Sequence, residues 1–262
     1  MTAHVWLTGL YALGAGLIVS LVSFTGLFVL WMKPDRLAAI VPYLVALAVG
    51  VLLGDAFIHL IPDAVKRYGS VSTVCMTTLA GVFVFFILEK VVRWRHDHHT
   101  TFTAAPGDIL PLARMNLIGD AVHNFVDGIL IAGSFLVDPV LGFTTTFAIV
   151  AHEIPQELGD VGALVYGGYS PRQAVLYNFY CSLTVMAGVL FTLALGQVAE
   201  SSLILLLPVA AGGFIYIAAS DLIPALHEHS TLPSLVGQTA TFSLGIGFMQ
   251  GIVIFENALL SG

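Results

Sequence analysis

The chain has 262 residues, of which 58% are hydrophobic and only 10% are charged, and its mean hydropathy is +0.95. So few charged side chains could not cover the surface of a soluble domain of this size, which predicts a membrane protein with no separate soluble catalytic domain. Both cysteines, Cys75 and Cys181, lie in apolar stretches, which excludes a disulfide framework and a cysteine-based zinc motif. The formal net charge is −7 with nine histidines, so the positions of these polar groups relative to the membrane become informative.

Apolar runs in chain order predict an all-α membrane protein, because lipid leaves no partner for unpaired backbone groups. Turn formers such as Asp138-Pro139 and Ser170-Pro171 separate the runs. Eight predicted spans form a single transmembrane domain over residues 1–262, roughly at 4–31, 37–66, 70–93, 109–136, 140–168, 171–197, 203–227 and 235–260. Because most connections are short, consecutive spans are expected to run antiparallel.

The distribution of basic residues predicts the orientation in the membrane. One side has only Lys66 and Arg67. The other side collects Lys33, Arg36, Lys90, Arg93, Arg95, Arg114 and Arg172. The richer side should be cytoplasmic, which places both termini outside the cytoplasm and the hydrophilic loop 94–108 inside it. His96, His98 and His99 in this loop could capture metal ions, or the loop could be a simple soluble connection.

Polar side chains recur at helical spacing in the fourth and fifth predicted spans. They are Asp120, His123, Asn124 and Asp127 in the fourth span, and His152, Glu153, Gln156, Glu157 and Asp160 in the fifth. Five carboxylates inside a bilayer would cost on the order of 13 kcal/mol, at about 2.5 kcal/mol each. No lysine or arginine lies at that depth in either span. A metal ion or protons must therefore compensate, the alternative being a hydrogen-bonded polar seam between two packed helices.

The donor chemistry favours a divalent transition metal. Imidazole and carboxylate without thiolate suit Zn²⁺, Fe²⁺, Mn²⁺ or Cd²⁺ better than Cu⁺. His152 and Glu153 also begin like the His-Glu-x-x-His helix of zinc peptidases, which makes an intramembrane zinc-dependent hydrolase the alternative function. That motif needs a second histidine at position 156, where this chain has Gln156. The second zinc ligand of that motif is therefore missing, which argues against an enzyme.

Two short repeats suggest internal symmetry. His-Leu-Ile-Pro at 59–62 is echoed by Asp-Leu-Ile-Pro at 221–224, as an inverted repeat of three-helix units would leave behind. The fourth and fifth spans echo each other as well, which favours a 3+2+3 arrangement. Asp55 and His59 could line an approach to the polar site or make a structural contact. Asp221 could lie on an exit path or at a solvated helix end.

The motifs His-Asn-Phe-Val-Asp-Gly at 123–128 and His-Glu-Ile-Pro-Gln-Glu at 152–157 resemble those of the ZIP (Zrt/Irt-like protein) metal transporters. The resemblance covers essentially the whole chain and includes Asp55 with His59 and Asn178 with Phe179. It implies uptake of divalent metal into the cytoplasm through a two-metal site between the fourth and fifth spans. Zinc is the first expectation, and iron, manganese and cadmium are the others. The resemblance also implies a homodimer in the plasma membrane, alternating access by movement of one helix group against the other, and no cofactor besides the bound metal.

Residue by residue, the resemblance assigns metal ligands in both motifs. These are His123, Asn124 and Asp127 in the fourth span, and His152, Glu153, Gln156 and Glu157 in the fifth. Along the transport pathway we expect Asp55, His59, Asp120, Asp160, Asn178 and Asp221. Gln156 departs from the family, whose members commonly have Glu or His there. An amide oxygen is a weaker ligand, which bears on metal preference.

Overall fold

Long α-helices make up the computed structural model, which describes residues 2–97, 109–227 and 232–260. No β-strand occurs in these ranges, so the prediction of an all-α fold is confirmed. The helices are α1 Thr2–Val22, α2 Pro34–Gly54, α3 Ile61–Tyr68, α4 Val71–Asp97, α5 Pro111–Val137, α6 Pro139–Tyr166, α7 Pro171–Ser182, α8 Thr184–Leu195, α9 Gln197–Ile217, α10 Ile223–His227 and α11 Leu232–Leu260. A 3-10 segment at Ser23–Trp31 extends α1, and π-helical segments at Asp55–Leu60 and Ala218–Leu222 join α2 to α3 and α9 to α10.

Seven helical stretches of the described chain are long and apolar enough to cross a membrane. They are Leu7–Trp31, Pro34–Tyr68, Val71–Val91, Pro111–Val137, Pro171–Leu195, Leu206–His227 and Leu232–Phe255. These stretches fall on seven of the eight predicted spans. The remaining predicted span is α6, which has 28 residues but is not among the seven. Polar residues between His152 and Asp160 make the centre of this helix less apolar, which explains why it is not among the seven.

Proline and a capping side chain begin both α6 and α7. Asp138 accepts hydrogen bonds from the backbone N–H groups of Val140 and Leu141 at the start of α6. Ser170 forms a capping box with Gln173 at the start of α7.

The predicted spans leave a loop near 198–202, but in the structure α9 already begins at Gln197. The turn is Gly196 alone, whose φ of 52° lies in the left-handed region that favours glycine.

Backbone-to-backbone contacts at glycines bring neighbouring helices unusually close. A Cβ on Gly128 of α5 would lie 2.0 Å from the Val185 carbonyl oxygen of α8. Similar contacts join α2 to α11 at Gly50 and α4 to α9 at Gly212. Without a hydrophobic driving force in lipid, such close packing is a main source of helix association. It holds α5 between α6, α8 and α9, so the polar stripes of α5 and α6 face each other inside the protein.

Candidate metal centre

Four side chains from the facing stripes of α5 and α6 converge at one point. His123, Asp127, His152 and Glu153 are all buried, and each offers a ligand atom within 4.8 Å of the others. One oxygen of Asp127 lies 3.5 Å from His123 Nε2 and 3.3 Å from His152 Nε2. A Glu153 oxygen lies 3.7 Å from the same His123 nitrogen. We call these four residues the metal cluster.

The two Asp127–imidazole distances in the metal cluster fit coordination of an ion, although the one to His152 is also a long hydrogen bond. Hydrogen bonds between nitrogen and oxygen usually measure 2.7–3.2 Å, and neither ring nitrogen of His123 makes one within the described structure. Ligand atoms about 2.0–2.2 Å from a tetrahedral ion stand about 3.3–3.6 Å from one another. The two Asp127–imidazole distances, 3.3 and 3.5 Å, fall in that range. A zinc-sized ion could therefore sit between these atoms without large rearrangement.

The first π-helical segment adds two further side chains to this region. Asp55 is fully buried, and one of its oxygens lies 3.7 Å from Nδ1 of His123. Its other oxygen is 2.8 Å from Nδ1 of His59, whose ring lies 5.6 Å from that of His152. Asp55 therefore orients the imidazole of His59 through a hydrogen bond and places a carboxylate oxygen near His123, as a residue of the outer shell around a metal site would. Both residues expected on the transport pathway in the second span thus adjoin the metal cluster.

A second polar group lies along the same two helices and α7. Asn124 donates to Asp120 at 2.7 Å, Asn116 donates to Asp160 at 2.9 Å, and Asn178 donates to Glu157. Asp120, Glu157 and Asp160 are all buried, so three carboxyl groups lie within this second group. The sequence reasoning missed Asn116, although it lies one helical turn before Asp120 on the same stripe.

Gln156 lies between these two groups in the sequence and has no hydrogen-bond partner among the described side chains. It is 1% exposed, so its amide is both buried and unsatisfied. Asn124, Glu153 and Glu157 likewise keep buried oxygen atoms without a hydrogen bond in the described structure. A buried polar atom left unpaired costs about 1–3 kcal/mol. Buried unpaired oxygens at several neighbouring positions suggest a place for a cation.

The remaining predicted residues lie elsewhere or outside the described chain. Asp221 is buried in the second π-helical segment and does not belong to the metal cluster. His98 and His99 lie outside the described residues, and only the backbone of His96 is described. Their predicted part in metal capture stays a prediction.

A cavity of about 420 Å³ reaches the metal cluster from the end of the molecule where α3 and α5 finish. His152 and His59 line it, together with the hydroxyl side chains Ser134, Thr145 and Thr192. We call this cavity the vestibule. The sequence reasoning did not find it, because its walls come from helix faces that look lipid-facing in the sequence.

The fold and the metal cluster define an integral membrane protein with a buried site suited to divalent metal. Comparison with known proteins gives the family. The profile of the family described as ZIP Zinc transporter matches residues 6–109 and 95–253. The chain therefore belongs to the ZIP zinc transporter family, which confirms the resemblance found in its motifs and supports a transporter over a hydrolase.

Individual relatives agree with the family assignment. The chain is 29% identical to the zinc transporter zipt-7.2 of Caenorhabditis elegans over 94% of this chain and 66% of that protein. It is 29% identical to the human zinc transporter ZIP4 over 83% of this chain and 44% of that protein. It is 30% identical to the zinc transporter ZIP13 of Danio rerio over 79% of this chain and 74% of that protein. The chain thus spans about two thirds of the first of these relatives and under half of the second.

Proposed function

We propose that the protein carries divalent transition metal ions, zinc foremost, across the plasma membrane into the cytoplasm. Its relatives named zinc transporters and the donor set of His123, Asp127, His152 and Glu153 support zinc. Fe²⁺, Mn²⁺ and Cd²⁺ are further substrates, since imidazole and carboxylate also bind these ions. The observation that carries the proposal is the convergence of four buried ligand atoms within 4.8 Å of one another, with the two Asp127–imidazole distances in the range for a tetrahedral ion.

A second metal position lies beside the first and uses Asn124, Gln156 and Glu157, with Asp127 and Glu153 shared between the two. The buried, unpaired oxygens of these residues support this assignment. Because the second position contains two amides, it binds zinc more weakly than the first. A site that releases its ion readily is what conduction requires.

Transport proceeds by alternating access in a protein of eight spans, arranged as 3+2+3 with inverted symmetry, and the transporter is a homodimer. Two π-helical segments support the symmetry, because Asp55–Leu60 and Ala218–Leu222 both immediately precede an Ile-Pro pair. π-helical turns often occur at functional sites. We assign Asp55, His59, Asp120, Asp160, Asn178 and Asp221 to the route of the ion, and the burial of all of them but His59 supports this. The basic residues of the loops support an orientation with both termini outside.

Uptake into liposomes tests this function. Purified wild-type protein should accumulate zinc, whereas Asp127→Asn and His123→Ala should insert normally and lose at least about ten-fold in uptake, since even outer-shell partners of a metal cost 10–100-fold. Asp35→Asn is the matched control, because Asp35 is an exposed acid in the first turn of α2. Wild-type rates in both site variants at equal protein level would refute the proposal. A panel of Fe²⁺, Mn²⁺ and Cd²⁺ in the same assay ranks the substrates.

A further inference from the structure

The vestibule contains an ion pair that the metal cluster does not account for. Asp63 and Arg67 line its outer part, and Nε of Arg67 lies 2.8 Å from an Asp63 oxygen. A permanently cationic side chain is unexpected in a passage for cations, because it repels the ions that must enter. The pair therefore calls for a role beyond helix stability, to which an exposed i, i+4 pair adds only a few tenths of a kcal/mol.

The ion pair continues a ladder that starts at the metal cluster. Asp55, His59, Asp63 and Arg67 follow one another at intervals of four residues along the first π-helical segment and α3. Adjacent members pair at 2.8 Å, Asp55 with His59 and Asp63 with Arg67. The exposed fraction of their side chains rises along the ladder from 0% to 16%, 27% and 40%. The ladder thus leads from the buried site to the outer end of the vestibule, and Asp63 is its outermost carboxylate.

We propose that Asp63 is the capture residue at which a metal ion first binds in the vestibule, and that Arg67 competes with the ion for this carboxylate. This inference rests on the proposed transport function. When no metal is near, the guanidinium holds the Asp63 carboxylate. An arriving divalent ion displaces it, because a double charge interacts more strongly with the carboxylate than a single one. The ion then passes to His59, one helical turn deeper.

Competition of this kind sets the metal concentration at which the transporter loads. An exposed ion pair is weak enough to be opened by an ion, and its loss corresponds to about a five-fold change in an equilibrium constant at most. Arg67 does not belong to the metal cluster. Its removal should therefore change the half-saturating metal concentration and leave the maximal rate unchanged.

Zinc uptake into liposomes by Arg67→Gln, Asp63→Asn and the double variant tests the inference. Arg67→Gln should lower the half-saturating concentration by about two-fold or more, up to about five-fold, and Asp63→Asn should raise it. On the Asp63→Asn background, Arg67→Gln should shift it by less than about two-fold, because the competition no longer exists. Lys66→Gln is the matched control, since Lys66 is an exposed cation one residue earlier that does not line the vestibule.

Two results would overturn the inference while the proposed function stands. In the first, Arg67→Gln transports zinc with an unchanged half-saturating concentration. In the second, Arg67→Gln and Lys66→Gln give equal shifts, which indicates a diffuse field rather than a specific pair. If wild-type protein accumulates no zinc, the proposed function fails. Equilibrium binding of zinc to the purified proteins then decides the inference, which requires tighter binding by Arg67→Gln than by Lys66→Gln.

Discussion

The close contact between α5 and α8 offers a sharp test of how this protein holds its metal cluster. A Cβ added to Gly128 would lie 2.0 Å from the Val185 carbonyl oxygen and 2.8 Å from the Val189 nitrogen. Ordinary van der Waals contact with a Cβ begins near 3.4 Å. Gly128→Ala must therefore separate the two helix backbones by more than about 1 Å, because backbone atoms cannot rotate away as a side chain can.

This separation should cost about 1–3 kcal/mol or more, the usual range for overpacking. In a protein of this size, that corresponds to a fall in melting temperature of about 2–12 °C. The shift should also reduce zinc uptake, because Asp127 is the neighbouring residue on α5 and metal ligands tolerate little displacement. Thermal denaturation of purified protein in detergent and uptake into liposomes measure the two effects.

Gly133→Ala provides the control on the same helix. A Cβ at Gly133 meets nothing within 4 Å, so the substitution should leave uptake intact and keep or slightly raise stability through alanine's better helix propensity. Equal melting temperatures for Gly128→Ala and Gly133→Ala would refute the reasoning. Close packing of α5 on α8 would then not determine stability.

Two further predictions address ion selectivity and the vestibule. The Gln156→His variant should bind zinc more tightly relative to manganese, because imidazole is the better zinc donor, and its maximal rate of zinc uptake should fall because the ion is released more slowly. Gln238→His on α11 is the control. An unchanged ranking of metals in Gln156→His would show that Gln156 is not a ligand. Gly133→Cys, in a Cys75→Ser background, should react with a membrane-impermeant thiol reagent added outside and lose zinc uptake, because Gly133 lines the vestibule. The control variant, Gly247→Cys on α11, should keep its uptake. Full uptake by labelled Gly133→Cys would contradict entry of the ion through the vestibule.

The sequence was informative about the metal cluster because the free-energy cost of placing its acidic residues inside a membrane can be estimated from the sequence alone. Acids and imidazoles at helical spacing in apolar spans need a compensating partner, so the stripe on α5 and α6 could be assigned before any geometry was known. The structure brings four of the seven predicted ligands into one cluster. Asn124 and Glu157 lie among a second set of polar contacts, and Gln156 is buried beside them without a hydrogen bond. Periodicity gives the face of a helix but not the rotamer of each side chain, so this division was not predictable.

The vestibule could not be predicted from the sequence, because the residues that line it give no comparable signal. Gly133, Leu130 and Val137 of α5 line it together with residues of α3, α6 and α8, yet in sequence they look like any apolar wall. A cavity between helices depends on how far the helices separate at one end, which no single helix encodes. Arg67 served only to predict the orientation in the membrane, and only the fold shows that Asp63 and Arg67 border a passage to His152.

Stability and metal binding lie on different faces of α5. On one face, Gly128 packs against the backbone of α8, and Gly188 of α8 approaches the Phe125 carbonyl oxygen of α5. Another face presents His123 and Asp127 to α6. Because glycine contacts hold α5 against α8 on a face away from the metal cluster, this packing does not require a bound ion. Contacts inside the metal cluster are longer than good hydrogen bonds, so few strong interactions need to break when an ion enters or leaves. A carrier needs both properties at once: a site rigid enough to select its ion, and one whose loading does not unfold the helices around it.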